Sequence, residues 1–179
     1  MICPSHGPIH RHDPKGVVDS YRRWSAPPPA KAKPRALLLT LSAHGNTRQM
    51  ATVIGEELAK LDFQVTELHM YEMRDSDLRD ELELADLVLV GSPTINRDAP
   101  PQVWHALSLF SLVTPKAKVA AVFGSFGWSG EAVKLVEERL KGLRFKLAAP
   151  SLTLRFRPTA EDLAACRMFG EEAAQAVSA

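Results

Sequence analysis

The sequence predicts a doubly wound α/β sandwich, in which helices cover both faces of a five-stranded parallel sheet. Two observations predict this fold. Short apolar runs alternate along the chain with amphipathic stretches of helical length. Most of the apolar runs have no polar face, which is typical of strands that are buried on both sides by helices.

The predicted strands are short runs bounded by turn residues. ALLLTL, DLVLVGS and KVAAVFGS are apolar almost throughout, and FQVTELHM alternates with a period of two. FKLAAPSLTLRF predicts a broken strand. The predicted strands span residues 36–41, 63–70, 86–92, 118–125 and 145–156.

An amphipathic stretch of helical periodicity follows each strand. The last of these stretches begins at Thr159, and Glu161 or Asp162 in its first turn predicts a capping box. The predicted helices span residues 46–61, 75–83, 100–113, 129–142 and 159–177.

The composition changes before the first βα unit. Residues 25–34, SAPPPAKAKP, predict an extended linker, because proline restricts the backbone and the segment offers nothing to bury. The linker separates a head, residues 1–24, from a body, residues 35–179. Within the head PKGVVDSYRRW predicts a helical turn, but the head is too short to have a core of its own.

Composition and charge exclude several classes of protein. The chain has 179 residues, with 22 Lys and Arg against 21 Asp and Glu, so no strong field favours nucleic acid or an anionic membrane. Cys3 and Cys166 form no CxxC pair and no disulfide framework. No apolar run approaches the roughly 20 residues that span a bilayer, and we expect a cytoplasmic protein.

The loop after the first strand, SAHGNT, leads directly into a helix. Small hydroxyl residues, a glycine and an asparagine at a helix N-terminus offer free N–H groups to a phosphate. A simple helix cap explains the same residues, since Ser and Asn are good caps. The loop does not match GxxxxGK[ST] or GxGxxG, so neither an ATP-type P-loop nor a dinucleotide site is predicted.

The loops after the third and fourth strands are also unusual. GSPTINRDAPP contains turn-forming Pro, Asn and Asp residues that predict an ordered turn. GSFGWSG interleaves Phe126 and Trp128 with glycines, which suits a flat aromatic ligand, although Trp128 as a hydrophobic lid on the sheet explains it too. Because ligands bind at the carboxyl ends of parallel strands, the three loops together predict one ligand with a phosphate and a planar ring, flavin mononucleotide (FMN).

SAHGNT, GSPTINRDAPP and FGSFGWSG resemble the three FMN-binding loops of the flavodoxin superfamily. The third loop, GWSG followed by AVK, most resembles the flavodoxin-like domain of flavodiiron proteins, which join a metallo-β-lactamase-like diiron domain to this domain. The resemblance implies the strand order 2-1-3-4-5. Glu131 departs from the pattern, because a small residue commonly follows GWSG there.

The resemblance reaches the head of the chain. PSHGPIHR resembles the closing segment of the diiron domain, in which the His of an SHG motif is the last iron ligand, so His6 would be that ligand. The chain has no HxExxD motif, and His10 stands where the family usually has Trp. We therefore interpret residues 1–24 as a remnant of a preceding diiron domain. There are two alternatives. The first is a separate metal site on His6, His10 and His12, and the second, simpler alternative is a head that is merely exposed to solvent.

The resemblance assigns roles to the loop residues and none to a catalytic acid, base or nucleophile. His44 and His105 are candidates by residue type alone. Residues 75–83 predict an acidic face that is simply solvated, and a redox partner that binds there is the alternative. The predicted FMN-binding residues are Ser42, His44, Gly45, Asn46 and Thr47 at the phosphate, Pro93, Thr94, Ile95 and Asn96 along one side of the ring, and Ser125, Phe126, Gly127, Trp128 and Gly130 along the other.

Three functions remain open from the sequence. The resemblance implies an FMN electron-transfer module that passes electrons to a metal centre on another domain or chain in a flavodiiron-type oxygen or nitric oxide reductase. Its electron donor would be a rubredoxin or a reductase, and a homodimer is implied. A stand-alone NAD(P)H-dependent flavin or quinone reductase is a second possibility, although no nicotinamide motif is found. A non-redox interaction module is the third.

Overall fold

A computed structural model describes residues 1–26, 33–110, 118–148 and 150–178. The chain forms two compact units, Met1–Ala32 and Lys33–Ala179. Most of the predicted linker, 25–34, lies outside the described residues, and the division between the units falls within it. The interpretation of the first unit as a remnant of another domain stays a prediction.

The first unit contains one helix, α1 (Pro14–Trp24), where the sequence predicts a helical turn. Asp13 caps it by accepting the Gly16 N–H at 3.0 Å, and Pro14 occupies the first helical position. Ile2 and His10 pair as an antiparallel bridge before the helix. No residue of α1 is buried, as expected of a segment too short for a core.

The second unit contains all the predicted strands and helices of the body, apart from their ends. The third predicted helix, 100–113, extends to residue 113, whereas the helix in the structure ends at Leu109 and residues 111–117 lie outside the described part. The strands are β1 (Arg35–Thr40), β2 (Gln64–His69), β3 (Leu87–Pro93), β4 (Val119–Phe126), β5 (Lys146–Leu147) and β6 (Leu152–Arg155), and the helices are α2 (Asn46–Lys60), α3 (Asp75–Leu84), α4 (Pro101–Leu109), α5 (Glu131–Gly142) and α6 (Ala160–Ser178).

The strands form one parallel sheet in the order β2-β1-β3-β4-β5, which confirms the predicted fold class. The fifth position is shared, because β5 pairs with the start of β4 and β6 pairs with its end. Pro150 lies between the two short strands and has no N–H to donate to a ladder, which accounts for the predicted break.

Two apolar layers cover the sheet, one on each face. Along β1 the side chains alternate between them, with Leu37 and Leu39 in one layer and Leu38 in the other. Helices α3, α4 and α5 contribute to the first layer, and α2 and α6 contribute to the second. Burial on both faces explains why β1, β3 and β4 have no polar face.

The last helix begins with the predicted capping box. Asp162 accepts hydrogen bonds from the Thr159 N–H and hydroxyl, both at 2.8 Å, and its own N–H donates to Thr159 Oγ1 at 3.2 Å. These hydrogen bonds lower the pKa of Asp162. Among the helices in the described part of the chain, none has the length and apolarity needed to cross a bilayer.

Candidate functional site

A cleft of about 350 Å³ opens at the carboxyl ends of β1, β3 and β4. A parallel sheet places the loops after its central strands side by side, which is why distant stretches of sequence meet there. The cleft is lined by Ser42, Ala43, His44, Asn46, Thr47, Pro93, Thr94, Ile95, Ser125, Phe126, Gly127, Trp128 and Phe156.

The loop between β1 and α2 forms one end of the cleft. Gly45 is the N-cap of α2 with φ 83°, a left-handed conformation that a residue with a Cβ rarely adopts. No side chain caps this helix at Gly45, and Ser42 Oγ accepts only the Arg48 N–H, at 3.2 Å. Within the described chain, the N–H groups of residues 43–47 have no hydrogen-bond acceptor. Free donors at the positive end of a helix suit a phosphate.

Two buried hydroxyls connect this loop to β4. Thr47 Oγ1 and Ser125 Oγ lie 2.8 Å apart, and their residues are 1% and 7% exposed. Both residues line the cleft. The hydrogen bond therefore holds the first turn of α2 against the strand that leads into the third loop.

The loop after β3 is an ordered hairpin turn, as the sequence predicts. Ile95 and Asp98 exchange both backbone hydrogen bonds, at 2.9 and 3.0 Å, and Asn96 and Arg97 between them have φ 52° and 64°. This is the pattern of a tight type I′ turn. The Thr94 N–H donates to the Ser125 carbonyl at 3.1 Å, so the turn is fixed against β4.

The loop after β4 forms the apolar end of the cleft. Phe126 packs over Gly130, where an added Cβ would lie 3.1 Å from the ring. Trp128 is 93% exposed. A lid that covered the sheet would be buried, so this exposure is contrary to the lid interpretation. Trp128 is instead an exposed residue that lines the cleft.

An ion pair joins the second and third loops. Arg97 Nε lies 3.0 Å from Glu131 Oε1, and Glu131 is the first residue of α5. The Ser129 hydroxyl, followed by the helix N–H and Arg97, lowers the pKa of Glu131. The carboxylate that departs from the family pattern is therefore paired with a residue of the neighbouring loop.

Eleven of the predicted FMN-binding residues line the cleft, and Gly45, Asn96 and Gly130 do not. Gly45 sets the backbone of the first loop, Asn96 lies at the tip of the hairpin, and Gly130 supports Phe126. Ala43 and Phe156 line the cleft without having been predicted. Phe156 follows β6, at the end of the last predicted strand, 145–156, so the rule that ligands bind at the carboxyl ends of strands covers it too.

Of the two histidines that are candidates by residue type, His44 lines the cleft and His105 does not. His105 Nε2 lies 2.9 Å from Asp75 Oδ1, so it pairs with the acidic face. Within that face Asp77 pairs with Arg74 at 2.8 Å and Glu81 with Arg35 at 3.1 Å. Among the described residues, no three His, Cys, Asp or Glu side chains are placed to hold a metal ion.

The residues of the cleft fit FMN. Free N–H groups and hydroxyls lie at one end, and no lysine or arginine side chain lines the cleft, so backbone donors would carry the phosphate. Phe126, Trp128 and Phe156 line the other end with apolar rings. This arrangement suits a ligand that has a phosphate at one end and a planar ring at the other.

The family profile described as Flavodoxin matches residues 38–170. The chain belongs to the flavodoxin family. A flavodoxin from the domain Archaea is 30% identical, with a TM-score of 0.75 over 81% of this chain and 99% of its own. FMN is the cofactor that family membership implies.

Longer relatives match the chain over nearly its whole length. Type A flavoprotein fprA of Rhodobacter capsulatus is 36% identical over 97% of this chain and 41% of its own sequence. The flavodiiron core of Synechocystis sp. is 30% identical, with a TM-score of 0.78 over 98% of this chain and 43% of its own. The chain therefore spans less than half the length of these relatives, and it matches their flavodoxin-like part together with the segment before it.

Proposed function

We propose that this flavodoxin-family chain is an FMN electron-transfer module of a flavodiiron-type oxygen or nitric oxide reductase. The observation that supports it most is the cleft at the carboxyl ends of β1, β3 and β4, with free donors at one end and aromatic rings at the other. No residue of the cleft combines with a second one as an acid–base pair, so the chain would carry electrons and leave the chemistry to a metal centre.

The residues of the cleft have distinct roles in this proposal. The N–H groups of residues 43–47 and the hydroxyls of Ser42 and Thr47 bind the phosphate. The turn at residues 94–97 lies along one side of the ring, and Phe126, Gly127 and Trp128 lie along the other. Bound FMN would supply a centre that accepts and releases electrons one at a time. Trp128, which is 93% exposed, marks the edge from which a partner would approach.

The partners are proposed from the same relatives. Their sequences extend well beyond this chain, so the electron acceptor would be a diiron domain on another part of the protein or on another chain. A rubredoxin or a reductase would supply the electrons, in the cytoplasm. A homodimer would bring the cleft of one copy to the metal domain of the other.

Reductive titration of the FMN-loaded protein tests this function. We expect an electron-donating protein or a chemical reductant to reduce the bound FMN stepwise, whereas NAD(P)H alone reduces it only slowly. Rapid reduction by NAD(P)H without a second protein would instead establish a stand-alone reductase. A folded protein that binds no flavin would leave a non-redox interaction module.

A further inference from the structure

Phe156 has an unusual backbone for a bulky aromatic residue. It lies directly after β6 with φ 63°, in the left-handed region that favours glycine. Its side chain is 58% exposed, so burial of the ring does not offset the strain of this conformation. Strained backbone of this kind clusters at functional sites such as ligand clamps.

Three contacts hold Phe156 in this conformation. Its N–H donates to the Phe126 carbonyl at 2.7 Å, which anchors it to the end of β4. The Arg155 guanidinium lies 4.9 Å from the centre of the ring, and Arg155 Nε donates to the Gly127 carbonyl at 3.1 Å. Arg155 therefore contacts both the ring of Phe156 and the backbone of the third loop.

The ring of Phe156 lies over Gly127. A Cβ on Gly127 would be 3.4 Å from Phe156 Cε1, so the ring lies within van der Waals distance of this glycine. Phe156 lines the same cleft as Trp128 and Phe126 and is remote in sequence from all three predicted loops. The cleft thus has a fourth wall, contributed by the strand that shares the last position of the sheet.

We propose, on the basis of the FMN site proposed above, that Phe156 is a further binding residue that contacts the planar ring of the cofactor, and that Arg155 positions it. The ring is exposed without the cofactor and becomes covered when the cofactor binds. The strained backbone serves to present the ring to the cleft. Phe156 accordingly selects for a flat aromatic ligand and has no role at the phosphate.

Flavin affinities of a Phe156→Gly variant test this proposal. The probes are FMN and lumiflavin, which has the ring but no phosphate, and the readout is quenching of flavin fluorescence. Because an aromatic contact can contribute about 1.4 kcal/mol, we expect both affinities to fall by the same factor, roughly tenfold. Phe156→Tyr should bind both flavins as the unmodified protein does. Arg155→Gln should weaken both by a smaller factor.

Two controls separate binding from folding. Glycine tolerates positive φ, so Phe156→Gly should melt no lower than the unmodified apoprotein, although its flavin affinity falls. Arg144→Gly relieves a similar backbone, φ 67°, at the far end of α5 and should leave flavin affinity unchanged. Ser42→Ala removes a hydroxyl at the phosphate end, so it should weaken FMN and leave lumiflavin unaffected.

Several outcomes would overturn the role of Phe156. If Phe156→Gly binds both flavins as the unmodified protein does, or loses affinity for FMN alone, Phe156 does not contact the ring. A marked drop in the melting temperature of the apoprotein would identify Phe156 as a structural residue. If the unmodified protein binds no FMN, the proposed function fails as well, and these outcomes are therefore distinguishable.

Discussion

Single residues connect the two ends of the candidate site. Thr47 in the first turn of α2 and Ser125 in β4 are far apart in the sequence, and their hydroxyls lie 2.8 Å apart at buried positions. The local sequence alone does not determine how the N-terminus of α2 is placed against the end of β4. The shape of the cleft therefore depends on this pair.

Removal of one hydroxyl of this pair should destabilise the protein. In Ser125→Ala the buried Thr47 hydroxyl loses its partner, and we expect the free energy of unfolding to fall by about 1–3 kcal/mol, measured in urea. The double variant Thr47→Val/Ser125→Ala should be less destabilised than the sum of the single variants. Additive effects would show that the two hydroxyls do not interact.

The ion pair between Arg97 and Glu131 should contribute more to FMN affinity than to the free energy of unfolding. Arg97 is exposed, so we expect Arg97→Gln to change the free energy of unfolding by less than about 1 kcal/mol. Since the pair joins two loops of the cleft, FMN affinity should fall about twofold to fivefold. Glu131→Gln should have the same effect, and the double variant no more. A larger loss in the double variant would contradict a shared role.

Most cleft residues could be predicted from the sequence because the loops after apolar strands can be read directly. The contacts that these residues make could not be predicted in the same way. Ser42 and Thr47 were predicted as phosphate ligands, but the buried partner of Thr47 comes from a strand 78 residues later in the sequence. Phe156 could have been found by applying the strand-end rule to the last strand, but its left-handed backbone, φ 63°, has no signature in a sequence that lacks glycine there.

At the scale of elements, α2 and α5 end in the same way. Each is followed by a non-glycine residue in the left-handed conformation, Asp62 and Arg144, both at φ 67°, and then by a phenylalanine that is largely buried. The N–H of each phenylalanine bonds to a carbonyl five residues earlier, at 3.1 Å. This is the Schellman motif, in which glycine is the usual residue.

Replacement of Arg144 by glycine should therefore stabilise the protein. The strain of the left-handed backbone exceeds the added entropy of the unfolded chain, so we expect a gain of about 0.5–1 kcal/mol in the free energy of unfolding. Arg139→Gly, inside the same helix, should cost about 1 kcal/mol. Thermal unfolding of the two variants checks the prediction. If Arg144→Gly were the less stable of the two, the left-handed residue would not be strained.

The number and type of the helices and strands were predicted more accurately than the residues at which they begin and end. The apolar strands and the amphipathic helices follow from periodicity, and the capping box at Thr159 identified the start of α6. The positions of β5 and β6 along β4 depend on how these strands pair with β4. Phe123, for example, pairs with Leu152. No local sequence pattern specifies this register.

At the scale of the whole molecule, the two cysteines differ in environment. Cys3 is exposed, whereas Cys166 is buried in the layer between the sheet and α6. Burial, with a smaller contribution from Asp162, raises the pKa of Cys166 to about 11. The thiol is thus kept protonated in the folded protein well above the pH at which a free thiol ionises.

This difference predicts a pH dependence of stability. Between about pH 9 and pH 11 the unfolded chain loses the Cys166 proton and the folded protein keeps it, so the stability should fall as pH rises. Cys166→Ala should be less stable at pH 7, because it leaves a cavity, and its stability should fall less steeply above pH 9. Equal slopes for the two proteins would contradict the raised pKa.

The proposed function depends on a single ligand that spans the cleft from the free N–H groups to the aromatic rings. Titration of the apoprotein with FMN, followed by fluorescence quenching and repeated with riboflavin, tests this most directly. We predict one FMN per chain, bound much more tightly than riboflavin, because only FMN has the phosphate. A folded apoprotein that quenches neither flavin, or binds both equally, would contradict the account.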